Sequence, residues 1–219
     1  MTVAEITTRP TGGAADWLIP TGLLLLAFIP VVAGTLRMTM LVGGAEVTPD
    51  NVRFFAAPIP VVTHIISVTL YAVLGAFQFS TGMRRRWPGW HRAAGRVLVV
   101  AGLAAALSGL WMALFYAIVP ADSTLLHTFR LFFGSAMAVS IILGFVAIRQ
   151  RKVGAHQAWM RRAYAIGMGA GTQAIIQIPY VMIVGQPDSF PHALLMGGAW
   201  ILNLAVAESL ILRQRSVRI

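Results

Sequence analysis

Apolar residues fill six long blocks of this chain, at about residues 17–36, 58–82, 93–118, 124–148, 158–184 and 192–212. Each is close to the ~20 residues that carry an α-helix across a bilayer core of about 30 Å. Within the blocks, polar and small residues recur in steps of three or four, the period of one helix face. In the second block they are His64, Ser67, Tyr71, Gly75, Gln78 and Gly82, and in the fourth His127, Arg130, Gly134, Met137, Ile141 and Gly144. The third block carries Gly95, Gly102, Gly109 and Tyr116 at seven-residue intervals, and the fifth places Gly167 and Gly171 at a GxxxG spacing. Polar groups in spanning helices face protein rather than lipid. The pattern predicts an all-α polytopic membrane protein, a six-transmembrane-helix bundle whose four central helices form two hairpins repeated in parallel sense.

The remaining chain is short. Residues 37–57 hold Gly43-Gly44 and Pro49-Asp50 and read as turns. Residues 1–16 read as a mobile cytoplasmic tail, 17–212 as one transmembrane domain and 213–219 as a basic cytoplasmic tail. The first block is longer than a signal-peptide core and lacks a persuasive cleavage site, so it is expected to stay as a helix, bent at Pro30.

Composition narrows the class. Hydrophobic residues make up 58% of the chain and charged ones 11%, which leaves no room for a soluble domain. The net charge of +10 is concentrated. Arg84, Arg85, Arg86, Arg92 and Arg96 surround one connection, Arg149, Arg151, Lys152, Arg161 and Arg162 another, and Arg213, Arg215 and Arg218 end the chain. The opposite connections carry Glu46, Asp50, Asp122 and Asp188, with Arg37 and Arg53 as the clear basic residues. Cytoplasmic loops retain Lys and Arg, so both termini and both basic connections are expected in the cytoplasm of a bacterial cell, around a multi-pass inner-membrane domain. The charge then answers to anionic headgroups of the lipid bilayer, not to nucleic acid. Trp17, Trp87, Trp90 and Trp159 are expected at the inner interface, and Phe54, Phe55, Tyr116, Tyr180 and Phe190 near the outer one. The absence of cysteine removes disulfides, thiolate catalysis and iron–sulfur ligation. No HExxH, Walker or GxSxG pattern occurs, so hydrolytic and nucleotide-dependent chemistry have no support.

Four histidines carry the candidate chemistry. His64 and His91 lie 27 residues apart around the first basic connection, and His127 and His156 lie 29 apart around the second. Side-by-side hairpins would bring His64 near His127 at the outer face and His91 near His156 at the inner one. A neutral imidazole is a common axial ligand of haem iron, so the pairs are candidate ligands for one or two b-type haems. With a rise of about 1.5 Å per residue, His64 lies roughly 9 Å inside its helix and His127 roughly 6 Å inside its own. Arg130, one turn from His127, suits a haem propionate; the other reading is snorkelling or a pair with Asp122. His64 and His127 read equally as interior residues hydrogen-bonded to neighbours.

His91 and His156 sit at helix entrances. They suit a second, shallow haem with Arg92, Arg96, Arg161 or Arg162 near its propionates, or else tie loops together and contact lipid phosphates. His192 is expected to cap or line the outer end of the last helix. Glu208 is an intramembrane acid, and thus a functional candidate, or the partner of Arg213 or a loop arginine. The glycine faces read as close helix packing, with a flat macrocycle as the sharper alternative.

The stretches YAVLGAFQFSTGMRRRWPGWHRAAGR, FRLFFGSAMAVSIILGFVAIRQRK, HQAWMRRAYAIGMGAGTQ and LLMGGAWILNLAVAE resemble the bacterial membrane family called domain of unknown function 2306, DUF2306. The resemblance runs from about residue 58 to 210 and implies a multi-helix membrane domain with His64, His91, Arg130 and His156 in family-typical positions. His127 departs from that set. More distantly, the four-histidine plan is similar to cytochrome b561-type dihaem proteins, whose four central helices each supply a ligand; His91 and His156 lie nearer the membrane edge than that plan has them.

The expected function is transmembrane electron transfer through haem b, serving a quinone or a redox partner protein. The alternatives are a non-redox small-ligand binding or transport protein, with Gln78, Tyr71 and Arg130 along its pathway, and a structural membrane subunit. The parallel sense of the hairpins does not match the inverted repeats of many transporters.

Overall fold

Proline and serine start the helices in this bundle. Pro58 and Pro88 open two of them, at positions where a missing N–H costs nothing. Ser80 and Ser123 cap two others, each accepting from a backbone N–H three residues on, at 3.2 Å. A computed structural model describes residues 15–118 and 123–216. Among them the helices are α1 (Ala15–Val42), α2 (Val52–Ala56), α3 (Pro58–Phe77), α4 (Thr81–Arg86), α5 (Pro88–Phe115), α6 (Thr124–Arg149), α7 (Val153–Gly167), α8 (Gly169–Val184) and α9 (Ser189–Ser216). Six spans are long and apolar enough to cross a bilayer, with α7 and α8 together making the fifth. The protein is an all-α polytopic membrane protein. Most of the expected N-terminal tail, up to residue 14, and the last three residues lie outside the described residues.

Boundaries differ from the expected ones in several places. α1 runs through Pro20 and Pro30 to Val42 before Gly44, at φ +64°, ends it. That shortens the connection to α3, and α2 occupies part of what remains. α5 begins at Pro88 rather than near residue 93, so His91 lies in its first turn. The fifth block is two helices, because the chain turns at Met168 within a glycine-rich run. Asn203 Nδ2 donates to the Ala165 carbonyl beside that turn, at 3.1 Å. A mid-membrane break needs such substitutes for lost backbone bonds.

Packing follows from small residues. α3 lies against α5, α5 against α6, α6 against α7, and α7 returns to α3. α1 packs on α3 and α8, and α9 on α6, α7 and α8. Ala105, Ala106, Ala138 and Ala163 bring the backbones close around Tyr71, Phe133, Ile141 and Tyr164. Leu25, Phe28, Val100, Ile142 and Ile201 point outward, as lipid-facing residues do.

Several glycines lie against the protein's own rings. Tyr164 covers Gly75, Tyr71 covers Gly102 and Gly167, Trp200 covers Gly169, and Phe129 covers Gly197. At Gly75, Gly102 and Gly167 the close approach that the stripes predict is thus made by the protein's own side chains. At Gly171, α8 meets the backbone carbonyl of Leu26, which leaves no room for a side chain. Gly95 faces open space. Rings also mark the two ends of the bundle. Trp17, Phe77 and Trp90 form successive edge contacts at 6.4 Å beside the arginine-rich α4. Phe54, Tyr116 and Trp111 do so at the opposite end, at 5.5 and 5.6 Å.

Candidate functional site

A cavity of about 480 Å³ opens among α1, α3, α5, α6, α8 and α9, on the half of the bundle away from α4. Its size falls in the ~300–1,000 Å³ range of pockets that enclose a small organic ligand. The walls are mostly apolar. The polar groups on them include His64 and Tyr71 from α3, His127 and Arg130 from α6, Arg53 from α2 and Gln173 from α8. His64, His127 and Arg130 are thus brought to one cavity, as their spacing predicts. Asp122, the alternative partner of Arg130, lies outside the described residues.

The His64 ring is fixed on two sides. Its Nδ1 lies 2.9 Å from the Ala105 carbonyl oxygen and 3.1 Å from Ser108 Oγ. A carbonyl only accepts, so the geometry assigns the proton to Nδ1 and the lone pair to Nε2. The ring lies against Gly109, where a Cβ would come 3.1 Å from Cε1. A backbone carbonyl holding Nδ1–H is the usual way of orienting a metal-ligating imidazole. Among the described residues, neither His64 Nε2 nor the His127 ring has a hydrogen-bond partner.

α2 closes over the cavity mouth. Arg53 Nη1 donates to the Ala117 carbonyl at 3.2 Å, and its guanidinium lies 4.9 Å above the Phe54 ring. The Tyr116 hydroxyl donates to the Ala57 carbonyl at 2.6 Å. Arg53, Gln173 and Trp200 line the cavity without having been singled out from the sequence for a ligand role. Signals pointed to two of them: Arg53 is basic on the side that the positive-inside bias depletes, and Trp200 sits mid-span rather than in an interfacial belt.

His91 and His156 also come together. They lie in the first turns of α5 and α7, near enough for their charges to interact, and the charges of Arg84 and Arg92 reach His91 as well. His156 Nδ1 donates to the Gly144 carbonyl at 2.9 Å, which leaves Nε2 with its lone pair as in His64. His91 Nδ1 and Gln78 Nε2 are buried atoms for which the described residues provide no partner. Of the four arginines offered for propionates, Arg161 and Arg162 make contacts with α9. Arg161 Nη1 donates to Gln214 Oε1 at 2.7 Å, and Arg162 grips both oxygens of Glu208, with Nη2 2.9 Å from Oε2. Glu208 is accordingly one end of a two-pronged ion pair with Arg162 of α7. His192 Nδ1 accepts from Gln177 Nε2 at 2.8 Å and ties α9 to α8 near the end where α9 begins.

No group of three or more His, Asp or Glu side chains gathers among the described residues. A bare ion would find two imidazoles at each pair, fewer than the four protein ligands of a closed structural zinc site. Haem iron asks the protein for only one or two axial ligands, so the donor sets fit haem better than a free ion.

Residues 61–211 match the family described as "Predicted membrane protein (DUF2306)". No curated protein and no solved structure matches the chain.

Proposed function

The chain belongs to the DUF2306 family of membrane proteins, and for it we propose transmembrane electron transfer through b-type haem. The observation that carries this reading is His64. Its Nδ1–H is held by the Ala105 carbonyl, and Nε2 is left on a cavity that His127 also lines. His64 and His127 would be the axial pair, and Arg130 and Arg53 at the same cavity would neutralise propionates. Haem supplies the one-electron chemistry, while the chain supplies ligands, orientation and a low-dielectric wall.

A second haem between His91 and His156 is the finer form of the proposal. The orphaned His91 Nδ1 and the oriented His156 support it, with Arg84 and Arg92 as the nearby cations. That arrangement would follow the four-helix, two-hairpin plan of cytochrome b561-type proteins through α3, α5, α6 and α7. The basic end would face the cytoplasm, and electrons would pass to or from a quinone or a redox protein. A second reading, a non-redox binding protein for a small amphiphile, draws on the same cavity without its imidazoles.

Protein purified gently from a haem-replete host should show a Soret band, and sharp visible bands on dithionite reduction. His64→Ala and His127→Ala should each remove the same haem, whereas His91→Ala and His156→Ala should lower haem content only where the second site exists. A colourless, folded preparation would overturn the cytochrome reading and leave the amphiphile reading in its place.

A further inference from the structure

Three of the bundle's tyrosine hydroxyls differ in what they donate to. Tyr164 donates to the Ala72 carbonyl at 2.7 Å, and Tyr116 at the cavity mouth is likewise satisfied by Ala57. Tyr71, 6% exposed, has no acceptor among the described residues, yet it lines the cavity. Its ring is wedged between Gly102 and Gly167, where a Cβ would come 2.6 and 3.0 Å from it, so it cannot swing away. Side chains on a helix lean toward its N-terminus. On α3 that direction aims the Tyr71 hydroxyl up toward the level of His64, two turns away.

A flat ring shares the cavity wall. Trp200 lines it, with its Nε1 lying against Gly169 of α8. The indole stacks on Phe133, with centroids 5.0 Å apart and planes 28° apart, presenting a flat apolar wall. A donor on a cavity wall with no protein acceptor is where a ligand's acceptor oxygen would be taken up. The cavity residues around Tyr71 and Trp200 are Phe133, Met137, Ile166 and Gly167, which hold no charge. A carboxylate would therefore be poorly matched at this depth, whereas a neutral carbonyl oxygen would be well matched.

We infer that the cavity binds a planar conjugated ring against the Trp200 indole, carrying at its buried edge a carbonyl oxygen taken up by the Tyr71 hydroxyl. A quinone and a formyl-bearing porphyrin both present that chemistry. The inference rests on the cavity proposed above as a ligand site, and it names a feature that protohaem, with its apolar buried edge, does not have.

The test uses the full chain purified in mild detergent, with its natural occupant extracted into organic solvent. Quinone is read as the ultraviolet change on borohydride reduction, and porphyrin type as the pyridine haemochrome. In parallel, a short-chain benzoquinone is titrated against tryptophan fluorescence quenching, with Trp200→Phe fixing the share due to that residue. Tyr71→Phe removes one oxygen and leaves the ring wedge intact; circular dichroism and gel filtration check its fold. Loss of one hydrogen bond should weaken quinone binding roughly fivefold to tenfold, or move a formyl haem's visible band to shorter wavelength.

Quinone without haem would uphold the inference and remove the haem from this cavity. A formyl porphyrin would uphold the inference and revise the haem type. Protohaem alone, with Tyr71→Phe unchanged in spectrum and occupancy, would overturn the inference and keep the electron-transfer reading. Folded protein with neither chromophore, insensitive to added quinone, would overturn both.

Discussion

Adding one methyl group to α3 tests how the bundle is held together. In Gly75→Ala the new Cβ would overlap Tyr164 Cε2 and lie 2.9 Å from Cδ2. The ring has nowhere to go. It packs at 5.0 Å on Phe79 and 5.6 Å on Tyr71, and its hydroxyl is tied to Ala72 on the same helix as Gly75. Overpacking a filled core costs about 1–3 kcal/mol, and a displaced hydroxyl adds about 1 kcal/mol. Alanine returns about 1 kcal/mol through its helix propensity. The net loss is then roughly 1–3 kcal/mol. Gly95→Ala, on the same kind of helix but facing open space, should instead gain up to about 1 kcal/mol. Reversible unfolding in SDS, followed by circular dichroism, compares the two variants with the parent. If Gly75→Ala is as stable as Gly95→Ala, the ring-on-glycine account of packing is wrong.

Topology has its own assay: single cysteines near Arg85 and Lys152 should resist an impermeant reagent in intact cells while one near Asp188 reacts, and reversed labelling would invert the proposed orientation. At the α7–α9 contact, Glu208→Gln should lower stability by about 1 kcal/mol, a figure already reduced for the 41% exposure of the Glu208 side chain. Arg162→Leu combined with Glu208→Leu should recover most of that loss in the same SDS assay, because an apolar pair leaves no orphaned charge; a double variant worse than the sum of the singles would refute this.

Hydropathy alone placed the six spans, because a bilayer demands one apolar run per crossing. It did not reveal the turn at Met168. There the signal was Gly167 and Gly171, and a GxxxG spacing reads the same whether a helix continues past a neighbour or breaks beside it. The His64, His127 and Arg130 grouping was legible because helical periodicity fixes faces, and short connections force α3, α5, α6 and α7 to be neighbours. The His64 tautomer was not legible, since it depends on a carbonyl of α5 set by a tertiary contact. Glycine stripes announced close approach without saying what approaches. Only the structure shows that Tyr71, Tyr164 and Trp200 fill those gaps.

The crossing of α1 over Gly171 bears on how the protein is made. Leu26 leaves the ribosome long before Gly171 does, by a delay on the order of ten seconds or more at typical synthesis rates. During that interval α1 has α3 to lean on but lacks α8, its other neighbour. It is suited to the wait, with a mean hydropathy of 2.1 and only 11% of its most apolar window buried in the finished bundle. Assembly would therefore finish by bringing together the first helix and a much later one, and the bare backbone at Gly171 is the notch into which that late closure fits.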